Sequence, residues 1–187
     1  MARKFYWLCF FYIFFSDLSA QSVAFFKEEL TFKIEGDQFF VNGIYYFKCP
    51  RKSDSSLALY YPFPVDSSYS EADSLYFFNI TSEEEITDYK KTQNGVLFYT
   101  GFDRITAVLV SYRQQFRSDH IRYILTTTQY WKRPLEVANY TLIVKSTTRI
   151  KSFSYPPDSS SKFGDTIVYY WKKKNFMPLE DMIFVLY

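Results

Sequence analysis

Apolar residues in this chain recur in twos rather than in threes and fours, and that rhythm restricts the fold more than any other feature. The segment ELTFKIE places Leu30, Phe32 and Ile34 on one face and Glu29, Thr31, Lys33 and Glu35 on the other. A two-residue period is that of a strand with one buried face. The next apolar segment, FFVNGIYYFK, follows after EGDQ and reads as its hairpin partner, with Asn42-Gly43 as a second turn or a bulge. Most of the glycines stand beside Asp or Asn, as turn residues do: Gly36-Asp37, Asn94-Gly95 and Gly164-Asp165 repeat the arrangement. Further strands are expected from Leu57 to the C-terminus at a spacing of about a dozen residues, separated by polar loops such as DSSYSEAD and DSSSKFGD.

No apolar pattern supports a helix of ordinary length. TSEEE opens as a helix cap does, so a single helical turn or a plain turn is expected there. Pro134 to Ala138, PLEVA, reads as a further helical turn. The chain therefore reads as all-β, an antiparallel β-sandwich of immunoglobulin-like or jelly-roll-like kind, in one domain over residues 21–187. A transmembrane barrel would need polar residues on its lumen face. LALYYPF and MIFVLY are apolar on both faces, and Pro62 and Pro64 suit a strand end, so the sandwich is the better fit.

The stretch YILTTTQYWKRP carries the densest pattern. Its threonines suit a pleated surface, so Ile121 to Trp131 reads as a strand that ends at Trp131. Pro134 then takes the chain out of the ladder. Trp131 is expected to plug the end of the sandwich, since large aromatics dominate cores. A stacking surface for a ligand is the other role open to it, and Tyr130, Trp131 and Trp171 are the candidate ligand-binding residues.

The N-terminus reads as an export signal. Arg3 and Lys4 precede the 11-residue apolar run FYWLCFFYIFF, and SDLSA follows, with cleavage expected before Gln21. A spanning helix needs about 20 apolar residues, so no membrane span is expected in the mature chain. Removal of residues 1–20 takes Cys9 away and leaves Cys49, which rules out an intramolecular disulfide. Cys49, in FKCPRK, reads as a buried or strand-end thiol.

Charge and motifs exclude several chemistries. The net charge is +2, with acidic and basic residues mixed, too mild a balance for a nucleic-acid partner. The one histidine, His120, lies in the turn-like RSDH and is not expected to serve a catalytic triad. One His and the one Cys left after cleavage do not furnish a zinc set, so neither metal nor cofactor is expected. Ser159 to Lys162, SSSK, has the spacing of an acyl-transfer motif but lies in a Ser-rich loop. Asn79 and Asn139 match glycosylation acceptors, and each also suits a strand terminus.

The segments YYWKKKNFMPLEDMIFVLY, YYPFPVD and YILTTTQYW resemble those of uncharacterised bacterial secreted β-sandwich proteins. The resemblance implies export and a sandwich fold, with no known activity attached. The expected function is that of a non-enzymatic exported module of the cell envelope or exterior that meets a protein partner. A carbohydrate- or lipid-binding sandwich is the alternative, and a hydrolase with a carboxylate site comes third. A concave pocket with two carboxyls would favour the third, and aromatics exposed in a groove the second.

Overall fold

The computed structural model describes residues 23–50 and 53–187. The expected signal peptide and Cys9 lie outside the described residues. The chain forms β1 (Ala24–Glu35), β2 (Gln38–Lys48), β3 (Ser53–Pro62), β4 (Asp73–Asn79), the short β5 (Glu84–Glu85), β6 (Tyr89–Thr92) and β7 (Gly95–Phe102). Then come β8 (Ile105–Gln115), β9 (His120–Tyr123), a 3-10 helix (Thr126–Trp131), β10 (Leu135–Lys145), β11 (Ile150–Phe153), β12 (Ser159–Phe163), β13 (Thr166–Phe176) and β14 (Met182–Leu186).

The strands make a sandwich whose one layer is an eight-stranded sheet in the order β12-β13-β10-β1-β2-β8-β4-β5. The opposing layer is split into two three-stranded sheets, β11-β14-β9 and β3-β7-β6. Pairing is antiparallel throughout except between β1 and β10, which run parallel from Lys27↔Val137 to Ile34↔Val144. The split layer follows from the aromatic side chains between the layers. Phe32 of β1 packs on Phe184 of β14, with ring centroids 5.4 Å apart, and Trp171 of β13 packs on Phe153 of β11 at 5.6 Å. At the other end Phe77 of β4 packs on Phe98 of β7 at 4.9 Å, and Phe47 of β2 on Phe102 at 5.4 Å. Each small sheet thus covers one half of the large one, and a seam is left between them.

Aromatics also serve the outer face of the large sheet. Lys27 lies over the Tyr46 ring at 4.3 Å and Lys48 over Phe26 at 4.1 Å, so these half-buried rings are shielded by lysine stems and charges. No helix among the described residues is long and apolar enough to cross a membrane.

Several local expectations are overturned. The threonine run is not a strand: β9 ends at Tyr123 and residues 126–131 turn into the 3-10 helix. Asp181, from the β13–β14 connection, decides this. Its Oδ1 accepts the backbone N–H of Leu125 and of Thr126, and the Thr126 hydroxyl at 2.8 Å. The first N–H groups of the helix thereby gain a partner that no residue within the run supplies. PLEVA is not helical, because Leu135 and Ala138 are buried in β10 with ladders to β1 and β13 on either side. Part of the Ser-rich loop, Ser159–Phe163, is the edge strand β12, paired to β13 across the Gly164 turn, where φ is +60°. Of the two forms open to TSEEE, the structure has the plain turn, which leads into β5. Asn42-Gly43 is neither turn nor bulge: β2 runs straight through it, paired on both sides.

Candidate functional site

The seam between the two small sheets opens into a cavity of about 660 Å³. Its floor is the large sheet, where Val108 and Val110 of β8 stand beside Tyr45 of β2 and Glu28 of β1. One side is β3, with Leu59 and Tyr61, and the other is the end of β9 with the 3-10 helix. Phe25, Phe47 and Trp131 close one end. The Trp131 ring centroid lies 5.9 Å from that of Phe25 and 5.6 Å from that of Phe47.

Three tyrosine hydroxyls meet inside the seam, one from each sheet. Tyr45 of the large sheet is 2.8 Å from Tyr61 of β3 and 2.7 Å from Tyr123 of β9, measured between hydroxyl oxygens. Tyr61 donates to Tyr123 at 3.3 Å. Burial raises the pKa of all three well above that of an ordinary tyrosine, so their hydroxyls keep their protons. They act as neutral donors and acceptors.

Gly43 makes this arrangement possible. It sits on the inward face of β2, two residues before Tyr45, and the Tyr45 ring folds back over it. A methyl at position 43 would stand 2.7 Å from two ring carbons of Tyr45. Only a residue without a side chain leaves room for the ring there.

Glu28 is the one carboxyl among the described residues that line the cavity, and it is only 2% exposed. It points inward because it stands in phase with Leu30, Phe32 and Ile34 on the two-residue period of β1, and a bulge, where the register slips between Phe25 and Lys27, brings Phe25 onto the same inner face. Its Oε1 accepts the Tyr140 hydroxyl of β10. Among the described residues no cation pairs with it, and its second oxygen receives no hydrogen bond. Burial pushes the Glu28 carboxyl up to about 7, with the Tyr140 hydrogen bond pulling the other way.

Of the expected ligand-binding residues, Tyr130 and Trp131 stand on the 3-10 helix and line the cavity. Tyr130 is 84% exposed at its mouth. Trp171 lies elsewhere: it is buried between Phe153 and Phe184, and its indole N–H donates to the Tyr155 carbonyl at 2.7 Å. Among the described residues no group of three or more His, Cys, Asp or Glu side chains is arranged to hold a metal ion. His120 is exposed beside Asp119, and Cys49 is buried. Glu28 and the tyrosines were not singled out in the sequence. The one signal for Glu28 is a charge preceding the alternation of ELTFKIE in the inward phase, at an even-numbered position with Leu30, Phe32 and Ile34.

Residues 97–185, just under half of the chain, match the family model described as a domain of unknown function, DUF4424. That segment contributes Tyr123, Trp131 and Tyr140 to the site, whereas Glu28, Tyr45 and Tyr61 precede it. Among solved structures, the chain is similar to a Legionella pneumophila protein provisionally described as a nutrient binding protein. The TM-score is 0.71 at 13% identity, over 89% of this chain and 67% of that one. It is also similar to an M1 zinc metallopeptidase from Deinococcus radiodurans, with a TM-score of 0.52 at 8% identity, over 88% of this chain and 43% of the peptidase. The likeness is one of fold. The chain spans less than half the length of the peptidase. No curated protein matches the sequence.

Proposed function

We propose that this protein is a β-sandwich module that binds a small molecule in the seam between its sheets. The observation that carries the reading is the cavity itself: about 660 Å³, walled by aromatic and aliphatic side chains, with one buried carboxyl. Small-molecule sites are typically concave and apolar, of roughly 300–1,000 Å³, with a few polar groups that fix orientation. The fold shared with a protein provisionally described as nutrient-binding supports a binding role. Exposed aromatics at a groove are the feature expected of a ligand-binding sandwich, and Tyr130 supplies one at the mouth, beside the half-buried Trp131.

Binding rather than turnover is the role that the polar inventory supports. The tyrosines hold their protons, and among the described lining residues Glu28 has no second carboxyl beside it for acid–base work of the glycoside-hydrolase kind. A carboxyl near 7 does suit general acid–base catalysis, which keeps a one-carboxyl enzyme as the second reading. We also propose that the protein works outside the cytoplasm, on the strength of its N-terminal segment. An intact mass starting at Gln21 is the expected sign of export, and retention of residues 1–20 would oppose it.

The binding reading is tested with Nile red, a neutral apolar dye whose emission rises when it leaves water. The full chain is expected to take it up saturably. Leu59→Trp, which fills the cavity from the β3 wall, should reduce that uptake on the order of tenfold while leaving the unfolding midpoint close to wild type. Uptake indifferent to Leu59→Trp would place the dye elsewhere and defeat the reading.

A further inference from the structure

The charge balance of the cavity is one-sided. Lysine, arginine and histidine are absent from its described lining, and Glu28 is its one formal charge. A buried carboxylate is normally paired or neutralised, since desolvating an unpaired ion is costly. Among the described residues, Glu28 has the Tyr140 hydroxyl on one oxygen and no hydrogen-bond donor on the other. The groups that face it are tyrosines from three elements: Tyr45 on β2, Tyr140 on β10 and Tyr123 on β9. Its neighbours on β1, Lys27 and Glu29, pair with one another on the outer face of the sheet and do not reach it. The walls beside it are aromatic, and ring faces attract cations.

We propose that the cavity takes a small organic cation, an amine or quaternary ammonium on an apolar body, with its charge on the Glu28 carboxylate and its body against Phe25, Phe47 and Trp131. This rests on the cavity being a ligand site. The entering cation supplies the partner that the fold withholds from Glu28. The same ligand holds that carboxyl ionised, so binding and proton release from Glu28 are coupled. An anionic ligand would meet a like charge, and a neutral one would leave Glu28 unpaired.

The test compares three probes of similar shape on the full chain by calorimetry: phenethylammonium, phenethyl alcohol and phenylacetate. Phenethylammonium should bind more tightly than either other probe by on the order of tenfold. Glu28→Gln, which keeps the shape of the side chain, should abolish that preference and leave the alcohol unaffected. With the Glu28 carboxyl near 7, the affinity for phenethylammonium should fall about tenfold from about pH 8 to pH 6 in the wild type and stay level in Glu28→Gln. The alcohol or the acid binding as tightly as the amine would overturn the cation assignment, as would an undiminished amine affinity in Glu28→Gln. Saturable Nile red uptake without amine preference would remove this assignment alone, whereas loss of the dye site would remove both.

Discussion

Glu28 costs the folded protein stability whenever it is ionised. Its carboxyl stands near 7 in the folded chain, against an ordinary 4.5. Between those values the folded state holds a proton that the unfolded state has released, so stability declines as pH rises through that window. The slope is about 1.4 kcal/mol per pH unit, and the full loss above pH 7 is roughly 3 kcal/mol. Glu28→Gln should therefore be more stable than wild type at about pH 8 and nearly equal to it at about pH 4.5. Denaturant unfolding at both values checks this, and equal stabilities at pH 8 would mean that Glu28 is not buried as described. Gly43 gives a second test. Gly43→Ala puts a methyl 2.7 Å from the Tyr45 ring carbons, so the ring must move. The expected loss is about 1–3 kcal/mol, with weaker dye uptake because the Tyr45 hydroxyl leaves the seam. A variant with wild-type stability and uptake would show that the ring does not need the space. Gly43 read as a turn or bulge residue, and the only mark of Glu28 in the sequence is its inward phase with Leu30, Phe32 and Ile34, which does not tell that a cavity lies over it.

Among the elements, the 3-10 helix shows where local pattern stops being informative. TTTQYW has the composition of a strand, and the alternating reading was reasonable on propensity alone. Asp181, 55 residues beyond Thr126, overrides it by accepting two backbone N–H groups and a hydroxyl. Gln129 adds a bond from its side-chain amide to the Pro178 carbonyl at 2.7 Å. Both anchors come from the segment between β13 and β14, so the helix is held by distant chain. Asp181→Ala should cost about 1–2 kcal/mol, the scale of a lost helix cap. It should also weaken dye uptake, because the helix carries Tyr130 and Trp131. Thermal unfolding together with the Nile red titration reads both effects, and lost stability with intact uptake would detach the helix from the site. The strands themselves were far more legible. β1 and β2 fall close to where the two-residue rhythm puts them, because one face of each is buried against the same core. Leu135 and Ala138 misled for the opposite reason: the central place of β10, with a ladder on both edges, is a tertiary fact.

For the molecule as a whole, the sandwich was legible and the division of its second layer was not. Alternation tells which residues face inward and says nothing about which sheet they face. The division creates the seam, and the three tyrosine hydroxyls join the sheets across it. Tyr45→Phe removes the hydroxyl that both partners share and leaves the longer Tyr61–Tyr123 contact. The expected loss is roughly 1–3 kcal/mol. The small sheets should also become less tightly coupled, visible as faster amide exchange in β3 and β9 than in β8. Uniform exchange in all three would mean that packing alone joins the layers. The central claim is that a buried, unpaired Glu28 waits in this cavity for a cationic partner. Its most direct measurement is a carboxyl-carbon NMR titration of the full chain, with and without phenethylammonium, assigned through Glu28→Gln. Expected is one glutamate titrating near 7 in the free protein, with its midpoint moved down when the amine is present. A Glu28 signal that titrates in the ordinary carboxylate range, or one that does not respond to the amine, would contradict it.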